Sequence, residues 1–218
     1  MIFSTNTKRT KTVVFFVLFV VKTTAVQCNP VVLVHGFKDS SSKMQPMARA
    51  LRKQGWTVLT PTLKPSWGQA GIDELARQLS TFIDANFHKG ERVDLVGFSM
   101  GGLVCRYYVQ RMGGLARVQR LVTISSPHNG TLTACWWPGA GCRQMQPHSE
   151  FLRDLNGDIA SLDRIQFTSL WTPLDLMIVP AKSSHVPVGC EIKMWVVLHP
   201  LMVWQPNCIR TVAECLQN

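Results

Sequence analysis

From residue 31 onward, short apolar runs alternate with stretches of helical spacing. "VVLV" at 31–34, "WTVLT" at 56–60, "VDLVG" at 93–97, "VQRLVTIS" at 118–125, "IQFTSLW" at 165–171 and "KMWVVL" at 193–198 read as strands, the second closed by Pro61. Between them, 42–55 carries Met47, Ala50 and Leu51 on one side and ends at Gly55, a residue suited to a helix C-terminus. The clearest helix is 71–87, where Ile72, Leu75, Ala76, Leu79, Phe82, Ile83 and Phe87 form one apolar stripe. Residues 103–112, a short piece around 151–155 and the terminal 207–216 are also predicted helical, whereas 126–147, rich in Gly and Pro, reads as loop. Strands separated by helices pair in parallel through right-handed crossovers, and continuous apolar strands are covered on both faces. The pattern therefore predicts an α/β domain with a mostly parallel central sheet flanked by helices on both faces. In such sheets ligands bind beyond the carboxyl ends of strands, so residues directly after strands are where chemistry is expected.

A chain of 218 residues with 46% apolar and 17% charged side chains suits one globular domain, placed at 26–218. The formal charge of +10 is unevenly spread: Lys8, Arg9, Lys11 and Lys22 precede residue 26, leaving 19 basic side chains against 13 acidic ones in the body. That moderate excess suits contact with an anionic lipid surface, but no basic run is interleaved with aromatics, so nucleic acid is not an expected partner. Residues 1–25 have the order of a signal peptide: basic positions, the apolar run "VVFFVLFVV" at 13–21, then Thr23, Thr24 and Ala25. The expectation is a secreted or extracytoplasmic protein; the alternative is a hydrophobic N-terminal extension, including a buried strand, on a cytoplasmic one. Seven cysteines leave at least one unpaired; Cys135 and Cys142 flank "WWPGAG" and could close a loop, or all seven could be small buried apolar side chains. No pair of cysteines has zinc-ribbon spacing and no His-Glu-x-x-His occurs, so no metal is expected.

The sequence "VDLVGFSMGGLV" runs from predicted strand to predicted helix through Ser99, with Gly97 two residues before and Gly101 two after. So abrupt a turn leaves no room for side chains at those two positions, and it holds the hydroxyl above the sheet at the positive end of a helix. Ser99 is accordingly the candidate nucleophile. A serine hydroxyl needs a base, and the base needs an acid to orient it. Asp175 in "TPLDLMIVP" and His199 in "VVLHPLM" follow predicted strands in the order Ser, Asp, His. Asp158 and Asp163 precede their strand, His185 lies within a loop, and His128 comes before every candidate acid. The oxyanion of an acyl-transfer intermediate needs two N–H donors. Met100, directly after the serine, supplies one, and Phe37 in "VVLVHGF" supplies the other, with Gly36 allowing close approach and His35 in a structural hydrogen-bonding role.

Five segments in this order, "VVLVHGF", "LVGFSMGGLVCRYYV", "LVTISSPHNGT", "TPLDLMIVP" and "LHPLM", resemble the lipases and esterases of the α/β-hydrolase superfamily, especially small bacterial-type triacylglycerol lipases, over residues 29–216. The resemblance implies a single-domain α/β-hydrolase fold and a serine hydrolase that forms an acyl-enzyme on Ser99. Two positions depart from the pattern: Phe98 stands where His is frequent, and Leu198 where Gly often precedes the base. The expected activity is hydrolysis of carboxylic esters of lipids such as acylglycerols, without a cofactor and as a monomer. The same triad would serve a thioesterase or an acyltransferase, and a non-catalytic lipid-binding scaffold is a further alternative. Trp136 and Trp137 read either as part of a short lid loop that touches a lipid surface or as aromatics packed over the core.

Overall fold

The computed structural model describes residues 28–217; the N-terminal segment, and with it the signal-peptide reading, lies outside the described residues. In chain order the elements are β1 (Val31–Val34), α1 (Gln45–Lys53), β2 (Val58–Leu59), α2 (Ile72–Asn86), β3 (Val93–Phe98), α3 (Met100–Arg111), β4 (Val118–Ile124), α4 (Ala140–Gln144), α5 (Glu150–Gly157), β5 (Gln166–Trp171), β6 (Cys190–Lys193) and α6 (Pro206–Gln217). The strands form one sheet in the order β2-β1-β3-β4-β5-β6, and every neighbouring pair is parallel. This is the expected single α/β domain, with β3 near the middle.

Alternation along the strands sorts the core into two layers. Val32, Val34, Val93 and Leu95 pack with α2, α3 and α5, while Val31, Leu33, Val96 and Phe98 pack with α1 and α6. The stripe of α2 is buried as its spacing requires: Ile72, Leu75, Ala76, Leu79 and Ile83 have no exposed surface. Each of the larger side chains contributes roughly 1.5–3 kcal/mol by leaving water. Helix α1 stops where Gly55 predicts. Gly55 adopts φ +100° and donates to the Arg52 carbonyl, and Trp56 donates to the Leu51 carbonyl. These two bonds satisfy the Arg52 and Leu51 carbonyls at the helix end, a closure that glycine's left-handed backbone permits without strain.

The structure departs from the sequence reading in three places. The last strand is Cys190–Lys193, not 193–198; after Met194 bonds to the Trp171 carbonyl, the chain leaves the sheet. The apolar run "MWVVL" misled because Trp195, Val197 and Leu198 are exposed and only Val196 is buried, so its hydrophobicity serves a surface and not a ladder. The loop at 126–147 contains a 3₁₀ turn, Leu132–Trp136, and the short helix α4. Cysteine usage matches neither expectation as a whole: all seven are free, with Cys105, Cys142 and Cys208 buried but Cys28, Cys135 and Cys190 exposed.

The centre of the fold is the crossing of α3 over β1 and β3. A Cβ on Gly97 would lie 2.6 Å from the Gly101 carbonyl oxygen, and one on Gly101 would lie 2.5 Å from the carbonyl oxygens of Val34 and His35. These obstacles are backbone and cannot rotate away. Gly97→Ala and Gly101→Ala are each expected to destabilise the protein by more than about 2 kcal/mol. Urea denaturation checks this, with Gly157→Ala as control, since a Cβ there meets nothing within 4 Å.

Candidate active site

Ser99 sits between β3 and α3 with φ 55° and ψ −124°, a region that non-glycine residues rarely enter. Its N–H donates to the Ile124 carbonyl at 2.8 Å, which ties the turn to β4, and its carbonyl accepts from Gly102. The strained backbone leaves the serine at the carboxyl edge of the sheet, at the N-terminus of α3. The first loop presses against it: a Cβ on Gly36 would lie 2.9 Å from the Ser99 Cβ, so only glycine lets the chain pass. Among the described residues, neither the Phe37 nor the Met100 N–H meets a protein acceptor. Both expected oxyanion donors are therefore free to serve a ligand.

Asp175 lies in the loop after β5, and His199 opens the 3₁₀ turn His199–Val203. The structure brings them together. His199 Nδ1 donates to Asp175 Oδ2 at 2.7 Å, and both side chains are nearly buried. With Nδ1 carrying the hydrogen, Nε2 is left as the acceptor face of the ring. The other carboxylate oxygen of Asp175 accepts from the Met177 and Ile178 N–H groups, each at 2.9 Å. Burial pushes the Asp175 carboxyl up, but the His199 hydrogen bond and charge, together with the two amides, outweigh it and leave the pKa below the ordinary value. His199 is held from a second side by the Phe98 ring, 4.7 Å away between centroids and tilted by 36°. Phe98 precedes Ser99, so the residue next to the candidate nucleophile packs directly on the candidate base. Sequence reasoning registered Phe98 only as a departure from a motif; its contact depends on a 100-residue separation that periodicity does not report.

The other histidines have different duties. His35 donates to the Gly36 carbonyl through Nδ1 and accepts from the Leu63 N–H through Nε2, so both nitrogens are engaged in holding the first loop. Burial lowers its pKa. His128 is buried between Thr123 and Arg106, and burial together with the Arg106 charge lowers its pKa well below the ordinary value. His185 bonds to Glu191 at the surface. Asp158 pairs with Arg111. These rivals therefore have partners away from the Asp175–His199 pair.

Residues 30–146 match the family described as palmitoyl protein thioesterase. The chain belongs to the palmitoyl protein thioesterase family. The matched stretch includes Phe37, the Gly97–Gly101 turn and Met100, and ends before Asp175 and His199. Over 115 residues the chain is 30% identical to the lysosomal thioesterase PPT2-B of Xenopus laevis; that alignment covers 49% of this chain and 38% of the relative. The chain thus spans well under two thirds of that relative's length. In structure it superposes on the mature lipase BlEst2 of Bacillus licheniformis with a TM-score of 0.71, at 17% identity, over 87% of this chain and 92% of the other. Lipase B of Aspergillus fumigatus also gives 0.71, at 15% identity, over 89% and 53%. Both likenesses establish the α/β-hydrolase fold that the five segments suggested, and the thioesterase family is a family of that fold.

The lowered pKa of Asp175 has a consequence for stability. An acid whose folded pKa lies below its unfolded one, about 3.9 for aspartate, contributes stability above that unfolded value. The contribution is lost as pH falls through the folded value. Between about pH 5 and pH 2.5 the native protein should therefore lose more stability than Asp175→Asn, which has no carboxylate to protonate there. Urea midpoints of both proteins across that window measure it.

Proposed function

We propose that the chain is a serine hydrolase that cleaves fatty-acyl thioesters through an acyl-enzyme on Ser99, with His199 as general base and Asp175 as its orienting acid. The Asp175–His199 hydrogen bond, beside a strained serine, is the observation that carries this reading. Membership of a thioesterase family favours sulfur as the leaving atom.

In the first half-reaction, His199 Nε2 takes the Ser99 proton as Oγ forms a bond to the acyl carbonyl carbon. The negative charge that develops on the carbonyl oxygen is held by the Phe37 and Met100 N–H groups, reinforced by the N-terminus of α3. Asp175 stays ionised and favours the imidazolium that forms. Collapse breaks the carbon–sulfur bond, and the thiolate leaves as a thiol after taking the proton from His199. A water molecule then repeats the sequence at the acyl-serine, with His199 removing its proton, and the acid is released with Ser99 restored.

A second reading, hydrolysis of lipid carboxylic esters, draws on the surface around the site. Trp136 is 76% exposed and Trp195 is 75% exposed, while exposed Leu174, Leu176 and Met177 flank Asp175 in sequence and exposed Leu198 precedes His199. Trp137 packs against Phe37 and under the Lys38 ammonium, so the 132–144 segment sits on the loop that carries an oxyanion donor. An apolar rim of this kind suits a long acyl chain, whether presented by a lipidated protein or by a lipid aggregate. It makes Trp136 and Trp137 part of a short lid and the membrane surface a transient partner.

Ser99→Ala should lower turnover of a palmitoyl thioester by on the order of 10⁴-fold or more while leaving thermal unfolding intact. It should also abolish labelling by a fluorophosphonate, which needs an activated serine. Side-by-side rates on a palmitoyl thioester and a matched palmitoyl ester separate the two readings, and glycerol added as acceptor reveals acyl transfer. Full turnover by the alanine variant would refute both.

A further inference from the structure

Two cysteines outside the site stand on facing elements. Cys190 begins β6 and pairs in register with Thr168 of β5. Two residues on, Ile192 pairs with Leu170 and packs on the core layer that includes α6. Strand alternation places Cys190 on that same face. Cys215 lies near the end of α6 and packs on the same layer. Thr168 thus stands beside Cys190 in the ladder and lines the same cavity as Cys215. Both cysteines line one cavity of about 470 Å³ together with Ile165, Phe167 and Ile192. Cys190 is exposed and Cys215 half-buried, so an oxidant reaches the pair from the Cys190 side.

We infer that Cys190 and Cys215 are a redox pair that forms a disulfide between edge strand β6 and helix α6. The bond closes the segment 190–215, and His199 lies inside it. Between Lys193 and His199 the chain runs without ladder pairing, held by Met194 N–H on the Trp171 carbonyl and by the Thr172 hydroxyl on the Val196 carbonyl. A cross-link at both ends of this stretch restricts how far its tip can stray, which is where the imidazole is mounted. The co-reactant is a low-molecular-weight disulfide. The Cys190 thiolate attacks one of its sulfurs and expels one thiolate. Cys215, after losing its proton to solvent, attacks the Cys190 sulfur of the mixed disulfide and expels the second. Two protein thiols are oxidised and one small disulfide is reduced to two thiols. The significance for His199 rests on its proposed role as base; the cross-link itself does not.

The full chain is equilibrated with oxidised or reduced glutathione, alkylated, digested and mapped by mass spectrometry. The expected result is a cross-linked pair of peptides containing Cys190 and Cys215 in the oxidised sample, with both thiols alkylated in the reduced one. The oxidised protein should unfold at a temperature higher by about 5 °C or more. That shift should vanish in Cys215→Ser and persist in Cys135→Ser. Recovery of Cys190 and Cys215 as free thiols or separate glutathione adducts, while exposed Cys135 carries an adduct, would overturn the inference, as would a cross-link of either to another cysteine. Mapping of the native chain decides the matter even if Cys215→Ser does not fold.

Discussion

The close passage of α3 across the carboxyl ends of β1 and β3 is the constraint on which the rest of the site depends. Gly97 and Gly101 permit backbone-to-backbone approach at distances no Cβ tolerates. Because the helix starts one residue after the strand ends, Ser99 has to take an unfavourable backbone conformation, and its strain is offset by the buried layers on both sides of the sheet. The same region brings Gly36 against the Ser99 Cβ, so the first loop passes directly beside the serine. The position of Ser99 and the course of the loop that carries Phe37 are thus set by close backbone packing.

Asp175 and His199 are positioned by other means. Asp175 is fixed by two amide N–H groups of its own loop before it meets His199. His199 comes from the α6 side of the sheet, where Phe98 projects, and the ring contact between them joins the base to the strand that carries the serine. Three segments distant in the chain converge because β3, β5 and the turn before α6 all end at one edge of a parallel sheet. The family match covers the first of these anchors and stops short of the others, so the two halves of the site rest on different supports: shared sequence for the turn, geometry for the pair.

Environment, not residue type, separates the histidines. His35 spends both nitrogens on backbone groups, and His128 is sealed against Arg106, whose guanidinium burial pushes down to about 9 with the Arg111 charge adding to it. Arg106 is fully buried and bonds only to neutral partners, among them the Leu155 carbonyl and Asn156. This network ties α3 to α5, while His199 is a buried ring paired with a carboxylate.

Much of this was legible in the order of residues. Continuous apolar runs located five of six strands and period-3.6 stripes the main helices, because burial of a parallel sheet on both faces, and of a helix on one, imposes these patterns locally. Glycines at 97 and 101 around Ser99 announced the turn, because the steric demand falls on adjacent positions. The last strand was misplaced, because the exposed Trp195, Val197 and Leu198 carry the same hydrophobic signature as a buried ladder. Tertiary structure alone decided that Asp175 reaches His199, that Phe98 backs the imidazole, and that Cys190 and Cys215 share a cavity. Each of those contacts joins side chains at least 24 residues apart in sequence, and proximity across a sheet edge is set by strand order and register, which no local pattern encodes.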